Sequence, residues 1–259
     1  MEVVNETELA DYQISRTSRL AGRLAVVTGA SSGIGRAIAL ALSRESVQLC
    51  VVGRDPVALA DTVAAAQQFS KVTSFQIDLT VEENLKPLLR YLEEEEAGRL
   101  DILIHSAGVI YQDPMACAHI EDLDLQYATN VRAPYMMTQH LLPLLTTARG
   151  QIVFINSSVG LMAKRPEIGQ YSATKHALKA IADSLREEVS PKGIRVLTVY
   201  LGRTATPMQE VLYRQEGRDY HPESLLQPEE VASMIISALS LPQTAEVTDI
   251  SMRPTKNPH

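Results

Sequence analysis

Basic charge is what this chain most clearly lacks: 24 Lys and Arg stand against 31 Asp and Glu, for a formal net charge of −7 and a pI near 5.4. Nucleic acid or an anionic membrane surface calls for the opposite balance, so neither is expected as the main partner, although a local basic pocket remains compatible with the composition. Cysteine is nearly as scarce. The two present, Cys50 inside an apolar run and Cys117, read as free thiols in a reducing compartment, packing rather than bridging or binding metal. No apolar run approaches the ~18 residues that span a bilayer, and the N-terminus has no basic-then-apolar leader. The expectation is a soluble, cytoplasmic protein. Tryptophan is missing altogether, whereas 45% of the 259 residues are hydrophobic, enough for a sizeable core.

Residues 1–22 are polar and without periodicity, which predicts a flexible N-terminal extension. From Arg23 onward, short apolar runs alternate with helical patterns. Strands are expected at 24–27, 47–52, 72–77, 101–104, 151–155, 194–200 and 246–252, with helices at 36–44, 56–69, 81–97 and 228–239. That alternation predicts a single-domain α/β fold, a doubly wound parallel sheet with helices on both faces. Residues 120–147 are helix-like, but Pro134 and Pro143 argue against one regular helix. A long irregular stretch, about 203–227, has the length of a lid or binding loop.

The first strand enters Thr28-Gly29-Ala30-Ser31-Ser32-Gly33-Ile34-Gly35 and then a helix. Such a loop lets backbone N–H groups approach a phosphate while a helix N-terminus adds favourable polarity. Its Gly-x-x-x-Gly-x-Gly spacing differs from the common dinucleotide fingerprint, and a tight turn without ligand is the plain alternative. The second strand ends at Gly53-Arg54-Asp55, where such folds read the adenosine ribose. Gly53 offers no carboxylate for a 2′-hydroxyl, whereas the Arg54 guanidinium can clamp a 2′-phosphate, with Ser32 as a second contact. This favours NADP. Asp55-Pro56 has the form of a helix cap, and an Asp55 that instead reached the ribose would favour NAD. Asp78-Leu79 lies past the third strand, where Asp78 can accept from an adenine amine or cap the next helix. His105 suits a hydrogen-bonded core residue better than a base, and the small turn Ser106-Ala107-Gly108 lets a cofactor lie close. Tyr171 and Lys175 share one face of a helix, about one turn apart. A phenol beside a cation has a lowered pKa and can exchange a proton with a carbonyl or alcohol oxygen.

Together these motifs resemble the short-chain dehydrogenase/reductase family, in its single-domain form, over residues 23–254. The resemblance rests on Thr28 to Gly35, Asp78, Gly98-Arg99-Leu100-Asp101 leading to Ala107-Gly108, Asn130, Ser158, Tyr171-x-x-x-Lys175 and Gly202-x-x-x-Thr206. It implies a Rossmann-like oxidoreductase that moves a hydride between NADP(H) and a small alcohol or carbonyl substrate, as a homotetramer or homodimer. Asn130, Ser158, Tyr171 and Lys175 would form the catalytic group. Tyr171 would be the acid/base and Ser158 would bind the substrate oxygen. Lys175 would hold the nicotinamide ribose and lower the Tyr171 pKa, while Asn130 would fix a water linking Lys175 to solvent. The cofactor would contact Gly29, Ser31, Ser32, Gly33, Ile34 and Gly35 at the loop, then Arg54, Asp78 and Leu79. Toward the nicotinamide it would meet Ser106, Ala107, Gly108, Tyr171, Lys175, Gly202, Thr204 and Thr206.

Three departures stand out. The usual Asn-Asn-Ala-Gly reads His105-Ser106-Ala107-Gly108, and the usual Pro-Gly reads Leu201-Gly202. Gly160 follows Ser158 by two residues where three are common, which leaves Ser157 as an alternative, but the thirteen-residue spacing to Tyr171 favours Ser158. Residues 245–255 look like the branch of NADP-dependent serine and 3-hydroxy acid dehydrogenases, so a 3-hydroxy acid is a candidate substrate. Arg165 and Arg203 flank the expected cleft and are candidates for its carboxylate, or are ordinary surface arginines. A cofactor-binding sensor or scaffold with weak catalysis is the rival from another class.

Overall fold

The computed structural model describes residues 18–163 and 165–255. Seven strands, β1 Leu24–Thr28, β2 Gln48–Gly53, β3 Val72–Gln76, β4 Ile102–His105, β5 Gln151–Ser157, β6 Arg195–Leu201 and β7 Asp249–Met252, form one sheet. Their order is β3-β2-β1-β4-β5-β6-β7, and every neighbouring pair is parallel. Helices α1 Gly33–Arg44, α2 Pro56–Ala66, α3 Lys86–Glu94, α4 Ile120–Tyr127, α5 Ala133–Ala148, α6 Gly169–Val189, α7 Pro207–Gln215 and α8 Pro228–Leu239 complete it.

Side chains alternate along each strand, so both faces of the sheet need cover. Val27, Ile104 and Val199 face one layer, where Ile38 and Leu42 of α1 meet Val231 and Ile235 of α8. Val26, Leu103 and Phe154 face the other, against Met137 and Leu141 of α5 and Leu178 of α6. The order reverses between β1 and β4, and the crevice at their carboxyl ends is where open α/β sheets bind ligands.

Several boundaries differ from the sequence expectation. Residues 1–17 of the expected extension lie outside the described residues, but Leu20 is 0% exposed within the core, and Arg19 Nη1 donates to Ser240 O at 3.4 Å. The folded body therefore includes residues before Arg23. The helix expected at 81–97 divides into a single 3₁₀ turn, Glu82–Leu85, and α3, with Pro87 in the first turn of α3 where no intrahelical donor is required. In the 120–147 region, α4 passes through a π turn, Ala128–Arg132, into α5; Pro134 sits in the first turn of α5, while α5 continues through Pro143. The 203–227 stretch is not irregular, because it contains α7 and the turn Pro222–Ser224. Its base is closed where Ala205 N donates to Leu226 O at 2.7 Å and Leu226 N to Arg203 O at 3.2 Å. The last strand is shorter than expected: at residue 246 the Glu246 carboxylate, rather than backbone, accepts from Val196 N at 2.8 Å.

Candidate active site

Backbone proximity builds the first half of the site, a cleft of about 330 Å³ at the carboxyl edge of β1, β2 and β4. Gly29 has φ +66°, and a Cβ there would lie 2.8 Å from Ala107 N; a Cβ on Gly35 would lie 2.3 Å from Gly29 O. Only glycine lets the loop fold so closely onto β4 and still open its N–H groups toward the cleft. The Thr28 hydroxyl donates to Ile104 O at 3.1 Å and accepts from Ser106 N at 3.0 Å and Ala107 N at 3.2 Å. Thr28 thus ties the tips of β1 and β4 together. Thr28 opens the glycine motif, but its bracing role is not legible there because its partners lie on β4 and just beyond it.

Gly53 is equally constrained, since a Cβ there would fall 2.1 Å from Ser31 Oγ, a buried hydroxyl without a partner among the described residues. Ser32 is exposed at the start of α1, and its side chain makes no cap. Arg54 is exposed at the cleft, close enough to Asp78 to help lower that carboxyl, although two hydrogen bonds from Thr80 do more. Asp78 Oδ1 accepts from Thr80 N at 2.9 Å and Thr80 Oγ1 at 2.7 Å, making a local turn rather than a helix cap. Asp55 caps α2 as its sequence suggests, with Oδ1 accepting from Val57 N at 2.9 Å and Ala58 N at 3.1 Å. Gly33, Ile34, Leu79, Ala107 and Gly108 also line this cleft. Glycines that a Cβ would fill, a helix N-terminus and an exposed guanidinium at the far end fit a dinucleotide carrying a phosphate on its adenosine ribose.

A second cleft, about 710 Å³, adjoins the first and shares Ile34, Ser106, Gly108, Thr206 and Met208 with it. Tyr171, Lys175, Ser157 and Ser158 line it. Lys175 is 6% exposed and donates to Ile155 O at 3.2 Å, and its Nζ lies 5.6 Å from the centre of the Tyr171 ring. Burial pushes the ammonium down to about 8. It also pushes the Tyr171 phenol up to about 12, opposed by a hydrogen bond with Ser157. The expected lowering of Tyr171 by Lys175 is therefore absent here: desolvation outweighs a cation held over the ring face by a backbone carbonyl.

Both serines line the cleft with Tyr171, and Ser157 is the one whose side chain acts on the Tyr171 phenol, lowering it against the effect of burial. β5 extends as far as Ser157, and the 3₁₀ turn Ser158–Gly160 leaves Ser158 the more exposed of the two at the cleft. A side chain that sequence reasoning did not single out fixes this register. Asn156, buried, accepts from Ser157 N at 2.7 Å and donates to Lys175 O at 3.1 Å, joining the end of β5 to α6. Gly160 allows the contact, because a Cβ there would lie 2.7 Å from Asn156 Oδ1. The usable signal was Gly160, which stands three residues after Ser157.

Asn130 does not line either cleft. It is 1% exposed on the π turn, where its amide accepts from Val109 N at 2.9 Å and donates to Val109 O at 2.8 Å and Thr174 Oγ1 at 3.1 Å. With those bonds made, the side chain joins the β4 loop to α6. His105 is a core residue: its Nε2 lies 2.8 Å from Thr138 Oγ1, its ring stacks on Phe154, and burial pushes it down to about 3. Gly202 and Thr204 border the second cleft, Thr204 Oγ1 donating to Gly202 O at 3.1 Å. Thr206 borders both, but its hydroxyl caps α7 by accepting from Gln209 N at 3.3 Å. Arg165 and Arg203 also line the second cleft, and each is ion-paired to Glu216.

The short chain dehydrogenase profile matches residues 23–217. An uncharacterized oxidoreductase of Staphylococcus epidermidis is 31% identical over 233 residues, covering 90% of this chain and 97% of that protein. Among solved structures, a metagenomic short-chain oxidoreductase in complex with NADP is 26% identical, with a TM-score of 0.77 over 93% of this chain and 100% of that one. An alcohol dehydrogenase of Thermococcus sibiricus complexed with 5-hydroxy-NADP, at 24% identity, shares the fold with a TM-score of 0.81 over 92% of this chain and 99% of that one. With the glycine cradle, the Tyr171 and Lys175 pair and the seven-stranded parallel sheet in place, this chain belongs to the short-chain dehydrogenase family of oxidoreductases.

Proposed function

We propose that the protein is an NADP(H)-dependent oxidoreductase acting on a small alcohol or carbonyl compound, with Tyr171 as acid/base and Ser157 as the hydroxyl that holds the substrate oxygen. The observation that carries this reading is the convergence of Tyr171, Ser157 and Lys175 in the cleft next to the glycine-lined one. Residues 29–35 and Arg54 would hold NADP(H), which would supply or accept the hydride when bound. In the reducing direction, Ser157 orients the carbonyl and Tyr171 donates its proton to the carbonyl oxygen. A phenol held near 12 is protonated at neutral pH and so is loaded as an acid. Lys175, below its own titration point of about 8, places a positive charge beside the phenolate that remains and holds the nicotinamide ribose.

Arg54 supports NADP over NAD. The NAD reading needs Asp55 at the ribose, whereas one oxygen of Asp55 is engaged by two N–H groups of α2. Titration following nicotinamide fluorescence is direct because the chain has no tryptophan. NADPH is expected to bind about ten- to a hundredfold more tightly than NADH, the value of one charge-assisted clamp of ~1.5–3 kcal/mol. Tyr171→Phe is expected to lose about 10²- to 10⁴-fold in turnover while keeping NADPH affinity. Equal affinity for both cofactors would remove the Arg54 argument, and near-normal turnover in Tyr171→Phe would remove the assigned acid.

A further inference from the structure

In a chain of net charge −7, the 710 Å³ cleft is bordered by Arg165, Lys175, Arg203, Arg218 and Arg253 and by no Asp or Glu among the described residues. The carboxylate that organises three of these cations is Glu216, which does not border the cleft. Arg203 Nη2 donates to both of its oxygens, at 2.7 and 2.8 Å, Arg165 Nη2 at 2.8 Å and Arg218 Nη1 at 3.2 Å. Glu216 follows α7 directly, at the negative pole of that helix, so pole and carboxylate together hold the guanidinium groups of three residues that border the cavity. Arg203 and Arg218 also lie over the Tyr213 ring, with Cζ 4.6 and 4.8 Å from its centre, which fixes the planes of both.

The arrangement leaves two polar atoms over. Arg203 Nη1 and Gln209 Oε1 are buried polar atoms without hydrogen-bond partners among the described residues, and both residues border the cavity. A buried guanidinium N–H without an acceptor is costly, and turning the Arg203 side chain toward an anion in the cleft it borders would satisfy it. Ile110, Leu161, Met162, Met208 and Leu212 form an apolar wall in the same cavity.

Resting on the oxidoreductase reading above, we propose that the substrate is an oxo or hydroxy carboxylic acid with an apolar body, whose carboxylate is received by Arg203 and Arg218 while Glu216 holds these two arginines in position. The fork of a guanidinium matches a carboxylate by two parallel hydrogen bonds, which a lone ammonium such as Lys175 cannot offer. Lys175 is already directed to Ile155 O beside Tyr171, so acid recognition and proton transfer belong to different cations.

Calorimetric titration with the straight-chain acids from acetate to hexanoate, their primary amides and inorganic phosphate tests this, on both the free enzyme and its NADPH complex. An acid is expected to bind at least about tenfold more tightly than its amide or than phosphate, with affinity rising up to about fourfold per added methylene. Arg203→Met and Arg218→Met are expected to abolish the acid-over-amide ratio and to leave NADPH affinity within about twofold. Arg203→Lys keeps a charge opposite Glu216 should Arg203→Met fail to fold, and is expected to lose most of the ratio. Amides binding as well as acids, phosphate binding better, a ratio that survives the substitutions, or NADPH affinity falling in step with acid affinity would each overturn the proposal. A wild type that does not bind NADPH would instead refute the oxidoreductase reading, while the ratio measured on the free enzyme still decides the clamp.

Discussion

The two adjoining clefts are made of different material. The glycine-lined one is backbone: loop, strand tips and a helix start packed so closely that added methyl groups would collide, with Thr28 as its brace. The other is built from long side chains on α6, the end of β5 and α7, held by ion pairs and amide clamps between distant segments. Backbone sites leave a local mark because the same few residues supply both glycine freedom and position. Side-chain sites depend on which turn ends where, and that is decided by contacts from elsewhere in the chain.

Legibility followed this division. The sheet, the glycine loop, the Asp55 cap and the Tyr171 and Lys175 pair are local patterns, and each has its counterpart in the structure. The choice between Ser157 and Ser158 is not local, because it turns on Asn156 reaching α6 and on where β5 stops. Asn130 has the expected residue type at its motif, and its amide bonds add a brace between the β4 loop and α6 that the sequence does not show. The 203–227 stretch reads as a loop because its helix is short and charged; what stabilises α7 is the Thr206 cap, Pro207 in its first turn and the arginines gathered at its end.

The serine pair gives the strongest test, because one residue of register separates the proposed substrate-holding hydroxyl from a more exposed one at the same cleft. Ser157→Ala is expected to lower kcat by about 10²- to 10³-fold, the usual loss for one hydrogen-bond donor on a reacting oxygen. Ser158→Ala is expected to stay within about threefold. Steady-state rates of the two variants with one carbonyl substrate measure this. Equal losses would mean that the turn, not the Ser157 hydroxyl, matters.

On the backbone side the corresponding test is one methyl group. Gly35→Ala places a Cβ 2.3 Å from Gly29 O, a backbone atom that cannot swing away. Overpacking of that kind costs ~1–3 kcal/mol, so both Tm and NADPH affinity are expected to fall, the latter by about tenfold or more. Gly217, just past α7, has φ +64° with nothing within 4 Å of its added Cβ. Gly217→Ala carries only the left-handed penalty of ~1–2 kcal/mol and is expected to leave NADPH affinity unchanged. Thermal melts paired with cofactor titrations separate the two, and a Gly35→Ala enzyme that binds NADPH normally would show that the loop is not a close-packed cradle.

The smallest expected effect joins the two clefts through Lys175. Its ammonium titrates near 8 in the folded chain against an ordinary value of 10.5, because it is buried. Between those values the unfolded chain binds more protons than the folded one, so this residue makes stability rise with pH from about 8 to about 10.5, by ~1–3 kcal/mol. The cofactor grip proposed for Lys175 has the opposite sign. If Lys175 holds the ribose as a cation, NADPH affinity falls by several-fold as pH rises through about 8, while this residue makes the protein harder to melt. Lys175→Met should remove its share of both slopes, since a neutral side chain has no proton to exchange in either state. Titrations and melts at pH 7 and pH 9 on the two proteins provide the comparison. Parallel slopes, with affinity and stability rising together, would place the cation outside the cofactor contact and leave Lys175 as a structural lysine under Tyr171.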